Sequence, residues 1–298
     1  MKVFDCFIFF NEFELLELRL KILNDYVDYF VLVESNTTFK GEPKDFLFEE
    51  RMSEFAAYID KIIYVKITDM PEFDGNNGWN LEYFQRNCIL RGLKNANPDD
   101  LIIMSDIDEI PQPERITDIK NNKFHTNYLF AEHKMAKRLR RYFKWLFKIV
   151  CLSRGNVLRK YPIVCEQNLY YYFLNCQSRG LWNGSIFCLK KNFRNPQKIR
   201  DVRNHIPRLK NGGWHFSYLG GLERILSKLR AINEGENADT TEKHIQYCLE
   251  NGIDLYGRSG AEFEYIFIPV DMVNISKIDE FIEKYPLLFQ RIDEKKGL

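Results

Sequence analysis

Two aspartates one position apart, Asp106 and Asp108, end the apolar run of the segment "LIIMSDIDEIPQPE" at residues 101–114. In an extended segment alternate side chains point the same way, so both carboxylates can face one cation. Oxygen ligands favour Mg²⁺ or Mn²⁺, and Mg²⁺ is usually shared between one or two carboxylates and the phosphates of a substrate. Such an ion makes a diphosphate a better leaving group, because it neutralises the developing charge. The residues alone leave a metal site and a solvated strand end equally open.

A histidine late in the chain is the second candidate. His215 lies in "GGWHFSY", where a histidine beside a tryptophan is ordinarily a packed, hydrogen-bonded core residue. Gly212 and Gly213 would let the backbone approach a ligand closely. Trp214 either stacks on a sugar or packs in the core, and its type does not separate these alternatives.

Strand and helix patterns alternate through residues 1–132 and predict the elements that position the aspartates. The runs "EFELLELRLKIL" and "NLEYFQRNCILRGLKNA" predict helices, and Asn11 with Glu14 predicts a capping box for the first. Short apolar strands alternating with helices indicate a largely parallel sheet, covered on both faces, with ligands at the carboxyl ends of its strands. Asp106 follows one such end. The four predicted strands are "KVFDCFIFF", "YFVLVES", "KIIYVKI" and "LIIMS".

The pattern becomes less regular from "TNYLFAEH" at residues 126–133, which predicts another strand. "CEQNLYYYFLNC" and "GSIFCLK" also predict strands, and "GGWHFSYLGGLERILSKLRAI" predicts a turn, a short strand and a helix. Two more helices are expected, "TEKHIQYCLENG", which Gly252 ends, and "KIDEFIEKYPLLF". Because there is no internal repeat or evident linker, one domain with a variable second half is the simplest interpretation.

The net charge of +1 conceals an asymmetry along the chain. Residues 1–132 carry 25 acidic and 14 basic side chains, whereas residues 133–298 carry 17 acidic and 29 basic ones. Ten of the basic residues fall within 133–160, where apolar residues at helical spacing predict a basic amphipathic helix. That helix either covers the sheet or binds an anionic membrane surface. Nucleic acid is not expected as a partner, because no recognised nucleic-acid module accompanies the basic segment.

Cysteines and apolar runs bear on the compartment. The seven cysteines are odd in number and include no CxxC pair, which favours free thiols in a reducing compartment. Asp5 interrupts the N-terminal apolar run, which therefore does not predict a secretory signal, and no stretch reaches the roughly 18 apolar residues of a membrane span. We expect a cytoplasmic protein, with peripheral contact to the inner membrane face if the basic helix binds lipid.

Five segments between residues 5 and 225 resemble glycosyltransferase family 17, the group of β-1,4-mannosyl-glycoprotein β-1,4-N-acetylglucosaminyltransferases. The resemblance implies a GT-A-type fold, a Rossmann-like mixed sheet flanked by helices, which binds a nucleotide sugar with Mn²⁺ or Mg²⁺. It also implies inverting transfer of a sugar, N-acetylglucosamine from UDP-GlcNAc, to a glycan hydroxyl. The segments are "DCFIFFNEFELLELRL", "YFVLVESNTTFKGEPK", "QRNCILRGL", "DDLIIMSDIDEIPQPE" and "NGGWHFSYLGGLERI".

The resemblance also implies roles for individual residues. Residues 1–132 would bind the nucleotide sugar and metal, and 133–298 would complete the domain on the acceptor side, where a lipid-linked glycan would suit a membrane-binding helix. Asp108 would ligate the metal, Asp106 would contact the ribose or a metal-bound water, and His215 would complete the metal shell or touch the diphosphate. The remaining donor-binding candidates are Glu34 and Ser35 for uracil and ribose, Gln85, Arg86 and Asn87 before the metal strand, and Trp214 for the sugar.

An inverting transfer needs a general base that takes the proton from the acceptor hydroxyl. Four carboxylates are candidates by position, and the sequence does not choose among them. The alternative role for Glu109 is to orient the metal loop, and the alternative for Glu223 is that of a solvated helix residue. The other two are Glu166 and Asp201.

Three other functions compete with a transferase. A sugar-phosphate nucleotidyltransferase usually has a glycine-rich loop after its first strand, and "FFNEFELL" contains no glycine. A phosphatase with a nucleophilic aspartate would carry the paired aspartates on its first strand. A non-catalytic binding protein on the same fold would be expected to lose Asp106, Asp108 or His215, which are all present.

Overall fold

One mixed sheet of ten strands organises the part of the chain that this computed structural model describes, residues 1–75, 78–124, 126, 156–231, 239–275 and 277–290. Four strands from the first half are parallel, in the order β3, β2, β1, β4. Each coincides with a predicted strand, because a parallel strand buried on both faces is a nearly continuous apolar run. They are β1 (Val3–Ile8), β2 (Tyr29–Ser35), β3 (Ile62–Ile67) and β4 (Leu101–Asp106).

Strand β5 and five strands of the second half extend the same sheet with mainly antiparallel pairing, in the order β4, β7, β6, β9, β5. Strand β6 pairs in parallel with β9 and β8, and β10 pairs antiparallel with β7. The expected GT-A-type mixed sheet flanked by helices is confirmed, with parallel pairing throughout the first four strands and mixed pairing among the others. The six strands are β5 (Glu109–Pro111), β6 (Ile163–Tyr171), β7 (Cys176–Leu189), β8 (Arg208–Leu209), β9 (Gly213–Ser217) and β10 (Tyr265–Phe267).

Helices cover both faces of the sheet. Alternate residues of β1 enter two different cores: Val3 and Phe7 pack with α1, and Phe4 and Cys6 pack with α4. The helices are α1 (Phe13–Leu23), α2 (Leu47–Glu50), α3 (Trp79–Asn87), α4 (Ile89–Gly92), α5 (Pro113–Lys120), α6 (Asn156–Lys160), α7 (Pro196–Asp201), α8 (Gly221–Ala231), α9 (Glu242–Asn251) and α10 (Ile278–Lys284), with a 3-10 segment at Met52–Lys61.

Helix boundaries depart from the sequence expectations at two places. Glu12 occupies the N-cap of α1 and no side chain caps that end, so the predicted capping box of Asn11 and Glu14 is wrong. The single helix predicted after Gly78 is two helices, which separate at Cys88. Gly252 ends α9 in the left-handed conformation, with φ of 62°, as its position predicted.

Part of the expected organisation falls outside the described residues. The strand predicted at 126–133 and the basic helix lie there almost entirely, and only α6 belongs to the described part. Among described helices, none is both long and apolar enough to cross a membrane. The described cysteines are buried and free, as small apolar residues would be.

Candidate functional site

A cavity of about 390 Å³ opens at the carboxyl ends of the parallel strands. Ile8 ends β1, Ser35 ends β2 and Asp106 ends β4, and all three line it. Ile8 and Asp106 are register partners in neighbouring strands, so the aspartate is placed by the sheet itself. The cavity therefore lies where the alternating pattern predicted a ligand site.

Arg19 of α1 holds the loop that carries the paired aspartates through hydrogen bonds to the loop backbone. The Arg19 guanidinium is fully buried and binds both oxygens of Asp5, at 2.7 and 2.6 Å. One of its nitrogens also donates to the carbonyls of Asp106, Ile107 and Glu109, at 3.1, 3.2 and 2.9 Å. A single buried cation thus satisfies three carbonyls of a tight loop and holds its side chains towards the cavity.

Two guanidinium groups engage Asp106. Arg86 donates to its Oδ1 at 3.0 Å and Arg200 to its Oδ2 at 2.7 Å. Burial opposes ionisation, but Arg200 and Arg86 outweigh it and hold the pKa of the Asp106 carboxyl well below its usual value. Because both oxygens already accept charged hydrogen bonds, Asp106 is poorly placed to ligate a metal directly, as the spacing of the two aspartates had suggested.

Glu109 is fully buried and its carboxylate is saturated with donors. Arg200 donates to both of its oxygens at 2.7 Å, and the Trp182 indole nitrogen donates to Oε1 at 2.7 Å. The amide of Asp106 donates to Oε2 at 3.1 Å. These four bonds occupy the lone-pair sites of the carboxylate, so Glu109 orients Arg200 and Trp182 rather than presenting a free oxygen to an acceptor.

Asp108 lies between a histidine and a lysine. Strand β9 pairs with β5 so that His215 is opposite Glu109, and this register brings His215 Nε2 to 3.6 Å from Asp108 Oδ1. The Lys228 ammonium of α8 lies 3.2 Å from Asp108 Oδ2. Burial opposes ionisation, but Lys228 and His215 lower the pKa of Asp108 from 3.8 to about 2. The carboxylate is therefore charged at neutral pH and faces the cavity.

The donor set at Asp108 fits a divalent cation shared with a substrate. Carboxylate oxygen and imidazole nitrogen suit Mn²⁺, and a cation held by two protein groups takes its remaining ligands from phosphate and water. Within the described ranges, no group of three or more His, Cys, Asp or Glu residues could hold a metal by itself. His215 packs against Trp182 with ring centroids 4.8 Å apart and ring planes tilted by 33°, and its buried Nδ1 has no partner among the described residues.

Residues predicted for the nucleotide separate into two groups. Ser35 and Gln85 line the cavity, and Ser35 Oγ lies 3.4 Å from Gln85 Oε1. Glu34 does not line it, because its carboxylate accepts the amides of Leu47 and Phe48 at the start of α2, at 2.7 and 3.2 Å. Asn87 also lies outside the lining. Its Oδ1 accepts the amide of Gln197 at 3.0 Å and so ties α3 to α7.

The remaining sequence candidates are also divided by the geometry. Trp214 is buried in the core on the other side of β9, where its indole donates to the Asn274 carbonyl at 2.8 Å, so it does not reach the cavity. Glu166 and the exposed Glu223 lie outside the lining, whereas Asp201 belongs to it. Asp201 Oδ1 accepts from Gln197 at 2.7 Å.

Four side chains that sequence reasoning missed complete the site. Arg200, Lys228 and Trp182 line the cavity, and Arg19 supports it from below. Arg19 had a usable signal, since it sits among leucines on the buried face of a strongly apolar helix. The other three had none, because a lysine or arginine in a helix and a tryptophan in a strand are ordinarily surface or core residues.

The comparisons with known proteins cover mainly the first half of the chain. Residues 1–144 match the family model described as Glycosyltransferase family 17. The protein named beta-1,4-mannosyl-glycoprotein 4-beta-N-acetylglucosaminyltransferase from Homo sapiens is 34% identical over 116 residues, which are 37% of this chain and 22% of that protein. Proteins of the same name from Rattus norvegicus and Mus musculus match to the same extent. The match thus spans less than a quarter of the length of these curated relatives.

Proposed function

We propose that the protein transfers a sugar from a nucleotide donor to a glycan hydroxyl, because residues 1–144 match the model of glycosyltransferase family 17. The donor we propose is UDP-GlcNAc, in keeping with the names of the relatives. The observation that supports this most is the ionised Asp108, which faces a cavity at the carboxyl ends of parallel strands beside His215 and Lys228.

The donor diphosphate would lie against Asp108, His215 and Lys228. A divalent cation held by Asp108 and His215 would neutralise charge on the departing UDP. Lys228 would add a direct positive charge at the same place, since its ammonium already lies within 3.2 Å of Asp108. Arg200 remains bound to Asp106 and Glu109. Its role is therefore to hold the loop in position, and not to bind the substrate.

The uridine would occupy the part of the cavity near the end of β2. Ser35 and Gln85 supply polar groups there, and Trp79 and Tyr83 of α3 supply aromatic faces for a base. Trp79 and Tyr83 have ring centroids 6.1 Å apart, so they form one continuous aromatic edge of the cavity.

An inverting reaction requires a carboxylate that can accept a proton, and we assign this role to Glu12. The cavity-lining Asp106, Asp108, Glu109 and Glu82 all pair with cationic side chains. Glu12 lines the cavity next to Lys228, and only its Oε2 accepts hydrogen bonds from described residues, the amides of Phe10 and Asn11. Its Oε1 is therefore available to an acceptor hydroxyl.

A donor screen tests the proposal. The full chain would be incubated with Mg²⁺ or Mn²⁺ and a panel of UDP- and GDP-sugars, and nucleotide release would be measured with and without glycan acceptors. We expect UDP release from UDP-GlcNAc that is lost with EDTA and in Asp108→Ala, and retained in the exposed control Glu223→Ala. Binding of UDP-sugars without turnover on any acceptor would favour a binding protein, and release of pyrophosphate would favour a nucleotidyltransferase.

A further inference from the structure

One end of the cavity is walled by aromatic side chains that the proposed donor does not need. The wall belongs to parts of the chain beyond residues 1–144, and so beyond the region that matches the family. We call it the tyrosine wall, and its members are Tyr171 of β6, Tyr218 after β9, Tyr256, Phe263 and Tyr265 of β10.

The rings of the tyrosine wall are packed into a rigid surface. Tyr171 and Tyr265 are stacked with centroids 4.6 Å apart and 14° between their planes, and Tyr218 lies 5.3 Å from Tyr171. The hydroxyls of Tyr218 and Tyr256 hydrogen-bond to each other. Tyr256 and Tyr265 are only half-buried, so part of each ring is available to a ligand.

Asp254 positions two members of the tyrosine wall, Tyr256 and Tyr265, through hydrogen bonds. Its Oδ2 accepts the amides of Tyr256 and Arg258 at 3.1 and 2.9 Å, and its Oδ1 accepts from the Tyr265 hydroxyl at 3.3 Å. The same carboxylate pairs with the Arg258 guanidinium at 2.7 Å, and that guanidinium lies 4.2 Å from the Phe263 ring centroid. The charge of Arg258 is thus neutralised where it meets the cavity.

Tyr171 carries an unmet hydrogen bond at the centre of the wall. Its side chain is 3% exposed and lines the cavity, and its hydroxyl has no partner in the described part of the chain. Buried hydroxyls in folded proteins almost always have a partner. Aromatic faces with one unmet hydroxyl are the surface that a sugar ring requires, since its C–H face stacks and its hydroxyls bond.

We propose that the tyrosine wall binds the acceptor as an uncharged sugar ring, an inference that rests on the transferase proposed above. The wall adjoins the reacting end of the cavity, because Lys228 lies 5.3 Å from the Tyr218 ring centroid and 3.2 Å from Asp108. Glu12 borders Tyr218 and Lys228 in a second, smaller cavity that all three residues line. A ring on the wall would therefore direct a hydroxyl towards both the donor and the base.

Saturation-transfer NMR with simple glycosides tests this site separately from catalysis. The full chain, with UDP and Mg²⁺, would be mixed with the methyl β-glycosides of mannose, glucose, galactose and N-acetylglucosamine. We expect at least one to bind. Tyr171→Phe removes only the hydroxyl and should weaken its binding about fivefold, as for one lost hydrogen bond, and Tyr256→Ala should weaken it about tenfold. The exposed Tyr247→Ala, on α9 outside the cavity, is the matched control.

The outcomes separate this inference from the proposed function. The tyrosine wall is not a sugar site if no glycoside binds, or if the wild type, Tyr171→Phe and Tyr256→Ala bind glycosides equally well. This conclusion holds whether or not the protein binds UDP. Binding of methyl β-glucuronide as tight as that of the glucoside overturns the selection for an uncharged ring. If calorimetry detects no binding of UDP by the wild-type protein, that result would instead contradict the proposed transferase. Melting temperatures of the variants exclude unfolding as the cause.

Discussion

Arg200 donates two hydrogen bonds of 2.7 Å to the Glu109 carboxylate, and both side chains are buried. The same guanidinium binds Asp106, so this pair fixes the first aspartate of the loop, whereas the second, Asp108, pairs with Lys228 and faces the cavity. A carboxylate that sequence reasoning considered as a base is therefore a positioning residue for the donor site.

Breaking this pair should damage stability and turnover together. In Glu109→Gln, Arg200 loses a buried counter-charge, and we expect the free energy of unfolding to fall by about 3–5 kcal/mol, the range typical of a broken buried ion pair. Urea denaturation measures this. Glu223→Gln, an exposed change of the same kind, should stay within about 0.5 kcal/mol of the wild type. A Glu109→Gln protein as stable as that control would contradict the positioning role.

Arg19 supports a second prediction, about the loop itself. Arg19→Met leaves Asp5 as a buried, unpaired charge and removes a donor from three loop carbonyls, so it should cost at least about 3 kcal/mol. Replacing both partners, as Asp5→Leu with Arg19→Met, should recover part of that loss because no charge remains buried. Denaturation of the three variants tests this, and additive losses in the double variant would contradict it.

Local sequence patterns predicted the strands better than the ends of helices. Strand β2 coincides with the run "YFVLVES", since burial on both faces requires a continuous apolar sequence. The capping box failed because Glu12 bonds the amides of Phe10 and Asn11, and Glu14 pairs instead with Arg224, which is 210 residues away in sequence. A local rule cannot foresee a partner brought close by the tertiary fold.

The candidate site was predictable only where the sheet dictates it. Asp108 follows a buried strand, and His215 is delivered by strand register, so a motif could identify both. Lys228 and Arg200 come from helices of the irregular half, where no periodic pattern marks a residue that turns inwards. The proposed cytoplasmic location and the membrane contact of residues 133–160 stay predictions.

Acid should weaken the protein through Asp108. Its pKa is about 2 in the folded chain and 3.8 as an ordinary aspartate, so as the pH falls the unfolded chain binds the proton first. The carboxylate therefore contributes about 2 kcal/mol above pH 5, and roughly half of this should be gone by pH 3. Urea denaturation at both pH values should show a smaller loss in Asp108→Asn. An equal loss in the two proteins would contradict the lowered pKa.

The assignment of Glu12 as base makes a kinetic prediction. Glu12→Gln is isosteric and can still accept the amides of Phe10 and Asn11, so UDP-GlcNAc binding should be unchanged while kcat falls by at least about 100-fold. Calorimetry and initial rates with the acceptor found in the donor screen measure the two quantities. Asp201→Asn is the comparison, because Asp201 also lines the cavity and its Oδ1 accepts one hydrogen bond, from Gln197. A large loss in Asp201→Asn, with activity kept in Glu12→Gln, would transfer the role to Asp201.

Lys228 and a divalent cation should compete for Asp108. The half-buried ammonium of Lys228 lies 3.2 Å from Asp108 Oδ2. Lys228→Met therefore removes a positive charge from the place where a divalent cation would bind. We expect this variant to bind Mn²⁺ about tenfold more tightly than the wild type and to bind UDP more weakly without metal, since the diphosphate loses its direct cation. Quenching of tryptophan fluorescence by Mn²⁺ is a suitable measurement, because the Trp182 ring centroid lies 4.8 Å from that of His215. Lys198→Met, on α7 and outside the cavity, is the matched control, and equal Mn²⁺ affinity in the two variants would contradict the competition.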